Sequence, residues 1–427
     1  FLIHWPAPVA DAPVHGLVVV PGSKSASARS LVLAALADAS STLTGVLDSR
    51  DTALMRAGLT ALGAQFTDLP DGRLGVRPAA GIRGGGTIDC GLAGTVMRFL
   101  PPLAALASPA TSFIGDAAAS ARPVDALLAA LVDLGAEVSE PHRVPFTVSG
   151  TPSVRGGCVT VDASASSQFV SALLLAGARY PDGLEITHRG GALPSLPHIE
   201  MTATLLARRD VTVDRPSEFT WRVAHGPIAA IDETVEPDLT NAATLLAAAL
   251  VTGGELRTAW PEGSVQAADE LLAVLAAFGA RISHSGRGTD RTVTLSAPDG
   301  VRGADVDLHA VSEPTPVAAA LAAVASGPST IRGVAHIRGH ETDRLAALAT
   351  ELTGLGVDAD ETADGLQVTP TPRHGGIFHT HADHRLAHAA ALLGLVTPGV
   401  ELDDVGCTTK TLPDFVGTWT QLVGVAS

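Results

Sequence analysis

Six copies of one unit, each about 70 residues long, constrain what this chain can fold into. Amphipathic helix patterns closing on a Leu-Gly-Ala-like signature recur at Leu62-Gly63-Ala64, Leu134-Gly135-Ala136, Phe278-Gly279-Ala280 and Leu355-Gly356-Val357. Weaker matches stand at Arg209-Asp210-Val211 and Val423-Gly424-Val425, and successive intervals lie between 68 and 77 residues. Glycine there suits a helix C-cap that turns the chain into a strand. A second series keeps step with the first. Ala-rich helix patterns, apolar nearly all round and so expected to be buried, begin after Ser25, Gly94, Ser167, Asp238, Glu313 and Asp383, at intervals of 69 to 75 residues.

Short strand patterns alternate with these helices, which predicts an α/β (α+β) architecture. At 427 residues the chain is too long for one ordinary core, so two domains are expected. Two groups of three units would give two similar domains with buried helices side by side. Their N-termini would share one end, where summed dipoles favour anions. The segment from Gly226 to Pro237 lies near the chain midpoint and is the candidate crossing between domains.

Composition narrows the function classes. The chain is 46% apolar and poor in aromatics, so its core must be built from Ala, Leu and Val. Cys90, Cys158 and Cys407 are widely spaced and form no CxxC pair. A disulfide framework or structural zinc is therefore not expected, and a reducing cytoplasm fits. No basic-then-apolar start resembles a secretion signal. The apolar runs stop short of the ~20 residues that span a bilayer. A net charge of −16 argues against nucleic acid as a partner. Any anionic ligand must be held by a local cationic site, which makes clustered Lys and Arg informative.

Such a cluster opens the first repeat. Pro21-Gly22-Ser23-Lys24-Ser25-Ala26-Ser27-Ala28-Arg29 puts two cations and several hydroxyls between the apolar run Leu17–Val20 and an apolar helix pattern. A helix N-terminus carries open N–H groups and partial positive charge, so the stretch suits a phosphate or carboxylate. The plain alternative is a polar helix cap beside solvated cations. It is not a nucleotide P-loop, because Ser23 separates Gly22 from Lys24.

The other helix starts add a glycine turn (Cys90-Gly91-Leu92-Ala93-Gly94-Thr95), a hydroxyl and amide run (Ser164–Gln168), Asp238, Glu313 and Asp383-His384-Arg385. Between them lie Arg122, the stretch Arg338–Arg344 and Lys410. Singly, each has a structural reading: helix caps, exposed ion pairs, a core histidine. Together, at equivalent points of a sixfold repeat, they point to a ligand. There is no HExxH, zinc spacing, G-x-S-x-G elbow or G-x-G-x-x-G after a strand. A cationic pocket with carboxylates and a histidine remains, which suits proton transfer on a small polyanion.

An ordered set of these motifs resembles the 5-enolpyruvylshikimate-3-phosphate synthase family of enolpyruvyl transferases: Pro-Gly-Ser-Lys-Ser to Arg29, Leu-Ala-Gly-Thr-Val-Met-Arg98, Arg122-Pro, Ser-Ser-Gln-Phe169, Glu341-Thr-Asp-Arg344, Asp-His-Arg385 and Thr-Lys410-Thr. The resemblance runs end to end. It implies two domains of three βαβαββ units with buried parallel helices, an inside-out α/β barrel. One domain would hold residues 1–20 and 238–427, the other 21–237. It also implies transfer of the enolpyruvyl group of phosphoenolpyruvate to the 5-hydroxyl of shikimate 3-phosphate, through a tetrahedral intermediate that loses phosphate.

Carried over, Lys24, Ser25, Arg29, Ser166, Ser167, Gln168, Ser195, Glu313 and His340 would hold shikimate 3-phosphate. Lys24, Gly94, Arg122, Gln168, Arg344, Arg385 and Lys410 would hold phosphoenolpyruvate. Glu313, Glu341, Lys24 and His384 would be catalytic, Glu313 taking the 5-hydroxyl proton and Glu341 protonating the methylene carbon. Domain closure would exclude water. No metal, cofactor, membrane or nucleic-acid partner is implied; a cytoplasmic monomer acting on small anions is expected. Glyphosate competes with phosphoenolpyruvate in this family, and Gly94 and Thr95 are compatible with its binding, but the sequence does not set the sensitivity of this chain.

Several positions depart from the family's usual pattern: Ser27 (usually Thr), Ala28 (Asn), Leu92 (often Asn), His198 (often Tyr), Glu313 (Asp) and His340 (often Lys). The sister enzyme, UDP-N-acetylglucosamine 1-carboxyvinyltransferase, is the nearest rival. It usually has Lys-Asn where this chain has Lys24-Ser25, and a cysteine in the loop that here reads Gly115 to Arg122 without one. A non-catalytic anion-binding protein on the same scaffold is the rival from another class. It would have no use for Glu313 and Glu341.

Overall fold

The computed structural model describes residues 4–140 and 142–424. Val425, which closes the last helix-end signature, lies outside the described residues. Contacts divide the chain into two compact units, one of residues up to Pro21 joined with those from Pro237 onward, the other Gly22–Glu236.

Within Gly22–Glu236, α1 (Lys24–Leu36) is buried and α2 (Arg50–Ala61) packs beside it. Next come α3 (Gly94–Phe99) with its short continuation α4 (Pro101–Ala104), both buried, and the partly exposed α5 (Asp125–Asp133). The third buried helix, α6 (Gln168–Gly177), is followed by α7 (Pro197–Ala207). The sheets repeat one order. Glu233–Thr234 pairs parallel with Ser41–Thr44, which continues antiparallel to Leu74–Arg77 and then Gln65–Asp68. Thr87–Asp89, Thr111–Ile114, Phe146–Ser149 and Glu137–Val138 repeat it, as do Gly157–Val161, Leu184–His188, Thr220–Val223 and Val213–Ser217. In the third sheet the parallel register runs from Gly157 opposite Leu184 to Val161 opposite His188.

The second unit follows the same plan. Its buried helices are α8 (Leu239–Thr252), α10 (Thr315–Val324) and α12 (His384–Gly394). The companions are α9 (Ala268–Ala277), α11 (Arg344–Gly354) and α13 (Phe415–Val423). Two sheets are completed from the start of the chain. His15–Leu17 pairs parallel with Glu255–Ala259, and Trp5–Pro6 pairs antiparallel with Val400–Leu402. The mixed α/β content follows from the sequence. Helices that are Ala- and Leu-rich all round form the core, because only burial satisfies such surfaces.

The recurring helix-end signature has a single geometric cause. Gly63, Gly135, Gly279, Gly356 and Gly424 all have positive φ, and in the first four the next residue donates its N–H back into the last helical turn. At the weak third match Asp210 takes this role with φ 61°, and Val211 N–H bonds the Leu206 carbonyl. Asp and Asn tolerate the left-handed turn better than other side chains do, which is why the signature survives without glycine there.

Candidate active site

In the Gly22–Glu236 unit the first helix start is built around a missing side chain. A Cβ on Gly22 would lie 1.9 Å from the Gly45 carbonyl oxygen, so only glycine lets the two strands of chain approach. Ser23 then caps α1, accepting from Ala26 N–H. Ser27 is buried and accepts from Leu47 N–H at 2.9 Å, anchoring the next loop. Lys24 and Ser25 are half-buried on the first turn. Ala28 is buried.

Arg29, one turn further, is 1% exposed. Its guanidinium donates to Thr202 Oγ1 (2.7 Å), the Ser25 carbonyl (3.0 Å), the His198 carbonyl (3.1 Å) and Ser171 Oγ (3.3 Å). It also lies over the Phe99 ring, 5.0 Å from the centroid. Arg29 thus ties α1 to α6 and α7. Burial without a carboxylate pulls its pKa down to about 9.

The second and third helix starts meet at two more arginines. Arg98 donates to the Pro123 carbonyl (3.0 and 2.9 Å) and to Gln168 Oε1 (2.9 Å), and Arg122 donates to the Leu92 carbonyl (2.9 Å). Gly94 lies between them: a Cβ there would come within 2.8 Å of Arg98 Nη1 and 3.2 Å of Arg122 Nη2. Ser166, Ser167 and Gln168 form the start of α6. Ser195 holds a left-handed φ of 50° just before α7, beside the half-buried His198.

In the other unit Glu313, ahead of α10, and Asp383, the cap of α12, converge on Arg344, which is 1% exposed. Its guanidinium grips both Asp383 oxygens (2.6 and 3.2 Å) and reaches Glu341 Oε2 (3.0 Å), Glu313 Oε2 (3.4 Å) and His340 Nδ1 (3.0 Å). Burial works to lower its pKa, but Asp383, Glu313 and Glu341 outweigh that and hold it above the usual arginine value. Lys410 Nζ donates to Glu341 Oε1 at 2.6 Å, so each oxygen of that carboxylate faces a cation. Arg385 Nε lies 3.3 Å from Glu313 Oε2, and its Nη1 bonds Asn241 Oδ1 at 3.3 Å. Three carboxylates (Glu313, Glu341, Asp383) thus interleave with three cations (Arg344, Arg385, Lys410). Beside them His336 donates to or accepts from Ser312 Oγ at 2.9 Å. Burial, followed by neighbouring His309, pushes the pKa of His336 down to about 4, so it is neutral at pH 7.

His384 is turned into the core. It is 1% exposed, with its ring edge-on to His388 at 6.0 Å and Nδ1 3.8 Å from Asp383. The expected site residues therefore fall into two groups, one per unit: Lys24, Ser25, Arg29, Gly94, Arg122, Ser166, Ser167, Gln168 and Ser195, and Glu313, His340, Glu341, Arg344, His384, Arg385 and Lys410. Sequence reasoning gave no role to Arg98, Asn241, His336 or Asp383 as the partner of Arg344. Asn241 had a readable signal, a polar amide inside an otherwise apolar helix pattern. Among the described residues no three His, Cys, Asp or Glu side chains gather as metal ligands, and no helix is long and apolar enough to cross a membrane.

By fold the chain is a mixed α/β protein of two threefold-repeat units, with buried charged groups such as Arg29, Asp238, Asp383 and Arg385 at or near the starts of buried helices. Residues 9–419 match the sequence model of EPSP synthase (3-phosphoshikimate 1-carboxyvinyltransferase). A Kocuria rhizophila protein named 3-phosphoshikimate 1-carboxyvinyltransferase is 51% identical over 433 aligned positions, covering 98% of this chain and 96% of its own. A solved EPSP synthase from Acinetobacter baumannii superposes with a TM-score of 0.76 at 22% identity, over 99% of this chain and 97% of that one. A second structure of the enzyme from that organism gives 0.73 at 21% identity with the same coverage. The chain belongs to the EPSP synthase family.

Proposed function

We propose that the chain transfers the enolpyruvyl group of phosphoenolpyruvate to the 5-hydroxyl of shikimate 3-phosphate, releasing phosphate, in the cytoplasmic route to chorismate. Each unit is read as an inside-out α/β barrel, with helices in the core, sheets outside and helix N-termini at the working end. The observation that carries the reading is Glu341 held between Lys410 and Arg344 Nη2, with Glu313 on Arg344 Nη1. An anion holder alone would not surround its cations with carboxylates, which compete with the ligand.

Lys24, Ser25, Ser166, Ser167, Gln168 and Ser195 bind shikimate 3-phosphate through hydroxyl, amide and ammonium donors. Arg29 shapes that wall from behind, since its own donors already meet Thr202, Ser171 and two carbonyls. His340 adds a ring nitrogen near Arg344. Arg122, the Gly94 turn, Arg344, Arg385 and Lys410 take phosphoenolpyruvate, arginine forks suiting its carboxylate and lysine its phosphate. Glu313 accepts the 5-hydroxyl proton and Glu341 delivers one to the methylene carbon.

Substrate binding prepares that delivery. An anion that draws Lys410 and Arg344 away from Glu341 also brings negative charge beside it. Both changes favour the protonated acid. Elimination then completes the transfer: the methyl carbon of the tetrahedral intermediate returns a proton to Glu341 as its C–O bond to phosphate breaks, which restores the double bond and releases phosphate. His384, buried behind Asp383, keeps that carboxylate in place for Arg344.

The test is phosphate release on mixing the protein and phosphoenolpyruvate with shikimate 3-phosphate or with UDP-N-acetylglucosamine. Release is expected only with the first. Silence with shikimate 3-phosphate would overturn the reading.

A further inference from the structure

The turn that precedes α12 is strained, and the strain falls on ordinary residues. His381 and Ala382 have φ of 52° and 55°, consecutive left-handed conformations immediately before Asp383. Side chains other than glycine pay for that conformation in contact between Cβ and the backbone, and such residues persist only where their surroundings over-determine them. Ahead of the buried helix α3 the left-handed residue is a glycine, Gly91 with φ 48°. Glycine would serve here too, so the presence of histidine needs a reason.

Its surroundings supply one. Glu351, on α11, is buried and points both carboxylate oxygens at the turn. Oε2 accepts the His379 N–H at 2.9 Å, and Oε1 lies 2.9 Å from His381 Nε2. Asp403 secures the preceding residue, accepting from Thr380 N–H (2.8 Å) and Thr380 Oγ1 (2.9 Å). Glu351 follows Arg344 by seven residues, two helical turns, so both lie on one face of α11. Arg344 grips Asp383 on one side of the strained pair and Glu351 grips His379 and His381 on the other. Between those grips the chain can only enter α12 with Asp383 and Arg385 aimed at Arg344 and Glu313.

We propose that Glu351 is a positioning residue: paired with His381, it holds the left-handed turn that aims Asp383 and Arg385, and so sets affinity for phosphoenolpyruvate without touching it. This rests on the assignment of Arg344 and Arg385 to that substrate. A merely structural Glu351 would affect stability alone.

The experiment compares Glu351→Ala with the double variant Glu351→Ala/His381→Gly, in which glycine adopts the turn without a clamp. Glu351→Ala is expected to raise KM for phosphoenolpyruvate about fivefold or more while leaving that for shikimate 3-phosphate within about twofold. The double variant should return to within about twofold of the parent, because the strain at His381, the member of the pair that Glu351 holds, is gone. Unchanged KM in folded Glu351→Ala, equal rises for both substrates, or no recovery in the double variant would each overturn the proposal. Should Glu351→Ala not fold, Glu351→Gln offers one acceptor in place of two and is read the same way.

Amide hydrogen exchange over residues 379–385 needs no substrate and separates the two levels of the argument. Faster exchange confined to that turn in Glu351→Ala supports the clamp even if phosphate release in the parent fails; unchanged exchange sinks the clamp even if the parent is active.

Discussion

Arg29 and Arg344 are both 1% exposed, one in each unit, and both lie where buried helices begin. Arg29 is surrounded by hydroxyls, carbonyl oxygens and an aromatic face. Arg344 is surrounded by Asp383, Glu341 and Glu313. The consequence is a difference in how much charge is left over. Around Arg29 a guanidinium held only by dipoles still carries its full charge outward, which suits a site that must attract and hold an anion. Around Arg344 charges already cancel, so an incoming anion displaces a carboxylate rather than meeting an open cation. The displaced carboxylate is then an acid or base released from Arg344, next to the substrate that displaced it.

The largest expected effect concerns that displaced group. Glu341→Gln should lower turnover by about 10³-fold while shikimate 3-phosphate affinity stays within about twofold, read by phosphate release and calorimetric titration. Undiminished turnover would remove Glu341 from the proton chemistry. Next comes stability. Asp383→Ala strips Arg344 of its bidentate partner and α12 of its cap, and should cost about 3 to 4 kcal/mol in urea denaturation followed by Trp260 and Trp419, both buried in that unit. Thr202→Val removes only a neutral acceptor from Arg29 and should cost about 1 kcal/mol, read by Trp221 in the other unit. Equal costs would mean that the two arginines are held alike.

The third prediction concerns pH. The folded-state pKa of His336 is lowered to about 4, so as pH falls below 6.5 the unfolded chain protonates this ring first. Stability is therefore lost between pH 6.5 and about 4 and levels off below, by at most about 3 kcal/mol. His336→Gln should flatten that slope in denaturation curves taken across the range. A smaller effect is expected in the other unit. In Gly94→Ala the new methyl would meet Arg98 Nη1 at 2.8 Å and Arg122 Nη2 at 3.2 Å. These are ends of flexible side chains, so stability should hold while KM for phosphoenolpyruvate rises about tenfold. A methyl tolerated without any change in KM would free Arg122 from its assigned role.

Much of the fold was written in local pattern. The helix-end glycines could be read as caps because a left-handed turn leaves a compositional trace, and even Asp210 kept enough of it to be noticed. The charged residues stood out as a set because they recur at the starts of apolar helices. Their surroundings left no such trace. Nothing near Arg29 in the chain indicates that Thr202, Ser171 and the His198 carbonyl will enclose it. His384 and Arg385 are neighbours, yet one turns into the core beside His388 while the other reaches Asn241 and Glu313. Glu351 reads as an ordinary helix residue, and its hold on His381 crosses 30 positions of chain.

By itself, the amino-acid sequence determined the sixfold repeat, the buried character of one helix per repeat and the polar chemistry of each helix start. These are properties of short windows, where periodicity and capping act through neighbours along the chain. Only the tertiary structure decided which strands complete which sheets, as when His15–Leu17 joins Glu255–Ala259, and which charges face carboxylates rather than neutral oxygens. Those outcomes depend on groups brought together from distant positions, and electrostatic energy follows distance in space, not separation in sequence.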